Sequence, residues 1–120
     1  MRKISTIILT DEFSTAEVLK LFLGEFDNLD IVEAAHNMSD VFDVISNVQD
    51  KSLFVVDLSD RTLEKLDLIL QVSKNCPDCK ILAMSDNPSV DLIIRIMRAG
   101  AAEFIPIPVI KGEFFDGVNK

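Results

Sequence analysis

At 120 residues, with 48% hydrophobic and 27% charged residues, the chain has the composition of one globular domain able to bury a core, not of a disordered segment. Its formal net charge of −8 opposes nucleic-acid binding by this domain, which relies on Lys and Arg displacing counterions, and opposes an anionic membrane surface. No stretch approaches the roughly 18 apolar residues of a membrane span, and Asp11 and Glu12 cut short the apolar run after Met1-Arg2-Lys3, so the expected location is cytoplasmic.

The first apolar run, Ile4 to Leu9, predicts a strand. Ser14-Thr15-Ala16-Glu17 then reads as a capping box, with Ser14 and Glu17 satisfying each other's backbone N–H groups. Behind it Val18, Leu19, Phe22, Leu23 and Phe26 recur at helical spacing. Asp30 to Ala35 is a shorter, more polar strand candidate suited to a sheet edge, with His36 an ordinary edge-strand residue. Met38, Val41, Phe42, Ile45 and Val48 mark a second helix capped by Asn37 or Ser39. Leu53-Phe54-Val55-Val56 has the continuous apolar pattern of a parallel strand covered on both faces.

A third helix is expected from about Arg61 to Lys74, followed by a buried strand, Ile81 to Met84. Asn87-Pro88 reads as a helix start with Pro in the first turn, and Ala99-Gly100 as that helix's end. Its apolar residues form two sets. Val90, Ile93, Ile94 and Met97 are expected to pack on the sheet. Leu92 and Ile96 either widen that buried stripe or form an exposed contact patch. Phe104-Ile105 makes a last short strand, and Pro106 and Pro108 require it to lie at an edge. The twelve residues after Pro108 include Gly112 and Gly117, so a truncated fifth helix is expected, in a single domain over residues 1–120 cut from a longer protein.

Strand–helix alternation with short loops implies right-handed crossovers and a parallel sheet. The expected fold is α/β, a three-layer (βα)5 flavodoxin-like arrangement with five strands in the order 2-1-3-4-5. Cys76-Pro77-Asp78-Cys79 closes a helical pattern and precedes a strand. That is the reverse of the order that activates a redox CxxC, so these read as loop thiols.

Ligands of such sheets bind outside the carboxyl ends of the strands. Asp11 and Glu12 follow the first strand there, Asp57 the third, Ser85 the fourth, and Ile107 with Pro108 the fifth. Three uncompensated carboxylates at one rim would repel, which a hard divalent cation relieves. Mg²⁺ on Asp11, Glu12 and Asp57 is therefore the expected cofactor.

Thr10 to Thr15, Phe54-Val55-Val56-Asp57-Leu58-Ser59, Met84-Ser85 and Ala99-Gly100-Ala101-Ala102-Glu103-Phe104 stand in register at this rim. In that arrangement the chain resembles the receiver domains of bacterial response regulators, over nearly its whole length to about Pro108. The resemblance implies that Asp57 accepts a phosphoryl group and that Ser85 hydrogen-bonds it. It further implies that the backbone carbonyl of Ser59 completes the metal ligands and that Phe104 is the switch aromatic. One position departs. Receivers carry Lys-Pro where this chain has Pro106-Ile107-Pro108, so Ile107 replaces the switch Lys. Lys80 begins a strand at the opposite end of the sheet and cannot substitute; Arg61 and Lys111 are the cations that could reach the rim.

The expected function is a phosphoacceptor receiver of a two-component system, partnered by a histidine kinase or phosphotransfer protein, with no enzymatic role beyond self-phosphorylation. The lost Lys weakens switching more than phosphorylation. The alternative is a pseudo-receiver serving as a dimerisation or docking module, similar to the receiver-like domains of pilus-assembly and localisation ATPases. A homodimer would use Leu92, Ile96 and Ile105 with the Pro106-Ile107-Pro108 edge. An enzyme on this fold has less support: no Trp or Tyr could stack on a flavin, and Thr10-Asp11-Glu12 lacks the Asp-x-Asp of phosphohydrolases.

Overall fold

The five apolar runs form five parallel strands: β1 (Ile4–Leu9), β2 (Leu29–Ala35), β3 (Ser52–Asp57), β4 (Cys79–Ser85) and β5 (Glu103–Pro106). Their order is β2-β1-β3-β4-β5, the expected α/β flavodoxin-like sheet. The computed structural model describes residues 3–35, 38–48, 51–87 and 89–120. The readings made for His36, Asn37 and Pro88 lie outside the described residues.

Five helices alternate with the strands: α1 (Phe13–Leu23), α2 (Met38–Ser46), α3 (Thr62–Asn75), α4 (Val90–Ala99) and α5 (Lys111–Asn119). Alternate side chains of β3 point to opposite faces, and both faces are covered. Phe54 and Val56 join the core beneath α2, α3 and α4, while Leu53 and Val55 join the core beneath α1 and α5. This explains why the central strands are apolar at every position rather than at every second one.

Four local expectations are corrected. The residue taking the N-cap position of α1 is Glu12, without a side-chain cap bond, so Ser14 sits inside the first turn and the Ser14–Glu17 capping box does not form. Instead the Thr10 hydroxyl accepts the Glu12 N–H at 3.1 Å, which turns the chain into the helix two residues early. Of the two cap candidates for α2, Ser39 lies within the helix and not before it, and Asn37 is outside the described residues. Helix α4 begins at Val90, where the Ser89 hydroxyl accepts the Leu92 N–H.

The fourth correction concerns the faces of α4. Leu92 and Ile96, read as either a widening of the buried stripe or a contact patch, are buried against the sheet, and Ile105 is buried in the core on the other face. Val90, at 72% exposure, and Ile94 and Met97 face outward instead. Both sets have helical spacing, but Val90 and Leu92 are roughly 200° apart around the helix, at about 100° per residue. Burying Leu92 and Ile96 turns Val90, Ile94 and Met97 outward, and the reverse, with Ile93 half-buried at the boundary between the sets. The helix end fixes which: Gly100 has φ +120 and the Ala101 side chain is buried. A Cβ at Gly100 would fall 2.1 Å from Ser73 Oγ, so α4 ends against α3 with Ile96 turned inward.

The fifth helix forms over Lys111–Asn119 despite its glycines. Phe114 is fully buried, worth about 2–3 kcal/mol by area. Gly117 allows the close approach, since a Cβ there would lie 3.0 Å from Ile105 Cδ1. Among the described residues, no helix is long and apolar enough to cross a membrane.

Candidate functional site

At the carboxyl ends of β1 and β3, Asp57 and Asp11 face one rim, but they are held differently. Asp57 is only 2% exposed. Its Oδ2 accepts the Thr10 hydroxyl at 2.8 Å, and its Oδ1 accepts the Ser59 N–H at 2.9 Å. Both contacts come from residues at strand ends, so backbone hydrogen bonding of the sheet fixes them. Thr10 is itself buried and braced by Glu12 N–H.

Asp11 is gripped by two cations. Arg61 donates Nη2–H to Oδ1 and Nε–H to Oδ2, the latter at 3.3 Å. Lys65 donates from Nζ to Oδ2 at 3.0 Å and to the main-chain oxygen of Asp57 at 2.6 Å. The hydrogen-bonded guanidinium of Arg61 holds the Asp11 carboxyl below its usual range, partial burial opposes this, and Lys65 adds to the lowering. Arg61, immediately before α3, and Lys65, in its first turn, both reach Asp11. Arg61 precedes the helix in the left-handed region, at φ 54 and ψ 47, costing about 1–2 kcal/mol for a residue with a Cβ.

Lys65 was not anticipated, yet a signal for it exists. Lys65, Leu68, Ile69 and Val72 are the buried residues of α3, at i, i+3, i+4 and i+7. A lysine in an apolar stripe must find a partner, because an unpaired buried charge is costly. Its partner is one of the very carboxylates thought to need an external cation. Of the two cations suggested earlier, Arg61 reaches the rim. Lys111 does not: it pairs with Glu25 at 2.8 Å and lies over the Phe115 ring. Lys80 donates to the Val118 carbonyl at 3.0 Å, away from the rim as expected.

The remaining expected residues scatter around this core. Glu12 is exposed. Ser85 is buried and its hydroxyl accepts the Asn87 N–H at 3.0 Å. The Ser59 hydroxyl accepts the Asp86 N–H at 3.1 Å, tying the β3 loop to the β4 loop. Phe104 is half-buried against the α4 side of the core. Ile107 is half-buried on the other side, its N–H donating to the Ser85 carbonyl at 3.0 Å.

Mg²⁺ was expected on Asp11, Glu12 and Asp57. Among the described residues, no group of three or more His, Cys, Asp or Glu side chains converges to hold a metal ion. The donor set explains why: each oxygen of Asp11 and Asp57 already faces a protein N–H or O–H. As arranged, these residues do not fit a divalent cation. Cys76 and Cys79 are free thiols at the end of α3 and start of β4. Burial pushes the Cys79 thiol up to about 11, opposite to the shift of a reactive thiolate.

Solved structures share this fold. A response regulator from Thermotoga maritima superposes with a TM-score of 0.84 at 24% identity, over 98% of this chain and 95% of that one. The receiver fold is present. The isolated receiver domain of RcsB from Salmonella enterica, solved with phosphomimetic BeF3⁻, gives 0.84 at 11% identity, over 98% and 87% of the two chains. A pilus assembly-related protein from Burkholderia pseudomallei gives 0.81 at 15%, over 97% and 87%. No family model and no curated protein sequence matches this one.

Proposed function

We propose that this receiver-fold domain works as a protein-docking module whose acidic rim does not serve as a metal-dependent phosphoacceptor. The observation carrying this reading is the direction of the rim's cations. Arg61 and Lys65 are spent on Asp11, and the end of β5 offers the uncharged Ile107 where a receiver has Lys. A phosphoryl group bonded to one oxygen of Asp57 would displace the hydrogen bond made there and meet no new cation. A charge-assisted contact of that kind is worth on the order of 1.5–3 kcal/mol.

The outward stripe of α4, Val90, Ile94 and Met97, is the surface this module offers. It replaces Leu92 and Ile96 as the face of a two-fold homodimer. Receiver-like domains of pilus-assembly or localisation ATPases are the kind of setting that suits such a module.

A second reading keeps Asp57 as phosphoacceptor, with a histidine kinase or phosphotransfer protein as donor. It is favoured by the buried Asp57 and Ser85 at the ends of adjacent central strands. Incubation with acetyl phosphate and Mg²⁺, followed by intact-mass measurement, separates the two. The docking reading expects no phosphoryl adduct. An adduct on wild type that Asp57→Ala abolishes would establish the second reading instead.

A further inference from the structure

The cation at this rim is part of the chain. Lys65 has a side-chain exposure of 0%, and its ammonium sits between Asp11 Oδ2 and the main-chain oxygen of Asp57. That is an anionic ligand and a backbone carbonyl, the oxygen types that hard divalent cations select. Arg61 closes Asp11 from the outer side. Both cationic side chains therefore meet the one carboxylate of Asp11, the Asp57 carboxylate being held by the Thr10 hydroxyl and the Ser59 N–H, and no buried side-chain nitrogen or oxygen among the described residues lacks a hydrogen-bond partner.

We infer that Lys65, assisted by Arg61, is the resident counter-ion of the rim, standing where a divalent cation would otherwise be held and keeping the folded domain metal-independent. Two further observations bear on this. Lys65 occupies a core position of α3 where Leu68, Ile69 and Val72 are its neighbours on the buried face, so its placement is set by packing and not by a flexible surface arm. Its second bond goes to the backbone of Asp57 rather than to a side chain, which anchors the ammonium at the end of the central strand whatever Asp11 does. A surface ion pair would show neither feature. The consequence is specific: with the ammonium removed, Asp11 Oδ2 and the Asp57 carbonyl lose their donor, and the rim should acquire the affinity for divalent cations that it now lacks.

Mn²⁺ is the probe, because its paramagnetism broadens only the NMR signals near where it binds. In wild type, millimolar Mn²⁺ should leave the amides of Asp11, Asp57 and Ser59 no more broadened than the rest of the surface. Lys65→Met combined with Arg61→Ala should show selective broadening there, with Mn²⁺ affinity at least tenfold tighter, and adding Asp11→Asn should abolish it. Arg61→Ala alone should stay as silent as wild type, since Lys65 remains. Should the Lys65→Met protein fold poorly, wild type and Arg61→Ala still decide, because selective broadening in either overturns the inference. A folded double variant that stays silent overturns it as well. This outcome is independent of phosphorylation. A wild type labelled by acetyl phosphate yet blind to Mn²⁺ would defeat the docking reading and leave Lys65 as assigned, and the reverse pattern would do the opposite.

Discussion

The two cations on Asp11 differ in burial, and that difference sets what each contributes. Lys65 is fully enclosed, while the Arg61 side chain is 35% exposed. Breaking a buried pair from one side costs about 3–5 kcal/mol, whereas an exposed pair is worth at most about 1. Lys65→Ala is therefore expected to lower unfolding stability by about 3 kcal/mol or more, and Arg61→Ala by less than 1, in urea denaturation. Equal losses would mean that Lys65 is solvated in solution. The acid limb of stability carries a second expectation. Asp11 has a folded pKa below its ordinary 3.8, so its contribution is complete above that value and disappears as pH falls through the lower, folded one. Asp11→Asn should flatten the stability profile below about pH 4, read by thermal melts across pH. An unchanged acid limb would contradict the ion-pair geometry. Asp57, Ser85 and Ile107 could be picked out of the sequence because strand ends mark the rim. Lys65 could not be found that way, since it lies eight residues past Asp57 and reaches back through a helix turn. The apolar stripe it interrupts was the available clue.

At the scale of elements, strands were the most legible part of the chain. A run such as Leu53 to Val56 has few ways to bury every residue, and β3 spans it with one extra residue at each end. Helix ends were less so, because a cap is a local bond with close competitors. Ser14, Ser39 and Ser89 all resemble caps, but only Ser89 is a cap, with its hydroxyl accepting the Leu92 N–H. The phase of α4 was illegible for a geometric reason: two apolar sets on opposite sides are each consistent with burial, and only the position of the Gly100 stop against Ser73 distinguishes them. This assignment can be tested by substitution. Leu92→Ala should cost about 2–5 kcal/mol as a core truncation. Ile94→Ser, on the outward face, should change stability by no more than about 0.5. The opposite ranking in urea denaturation would restore the earlier assignment of the two faces. If the outward stripe mediates self-association, Ile94→Glu with Met97→Glu should also shift a dimer to monomer by light scattering, with the melting temperature retained.

For the whole molecule, fold and activity separate. The order of the sheet and the layering of its helices follow from hydrophobic pattern and crossover handedness, and they agree with receiver domains as little as 11% identical to this chain. Fold alone does not specify chemistry. Here the same sheet edge carries Asp57 with a hydrogen bond on each carboxylate oxygen, Asp11 paired with the chain's own Arg61 and Lys65, and the apolar Ile107. A receiver switches when a ligand binds one of two states more tightly, and equal affinity shifts nothing. On the docking reading proposed above, a phosphoryl group has little differential contact to offer at such a rim. The most direct test is amide NMR of the wild-type domain titrated with beryllofluoride and Mg²⁺ together. The account predicts no saturable change at Ser59, Ser85 or Phe104. A stoichiometric shift at all three would contradict it and identify a working phosphoacceptor.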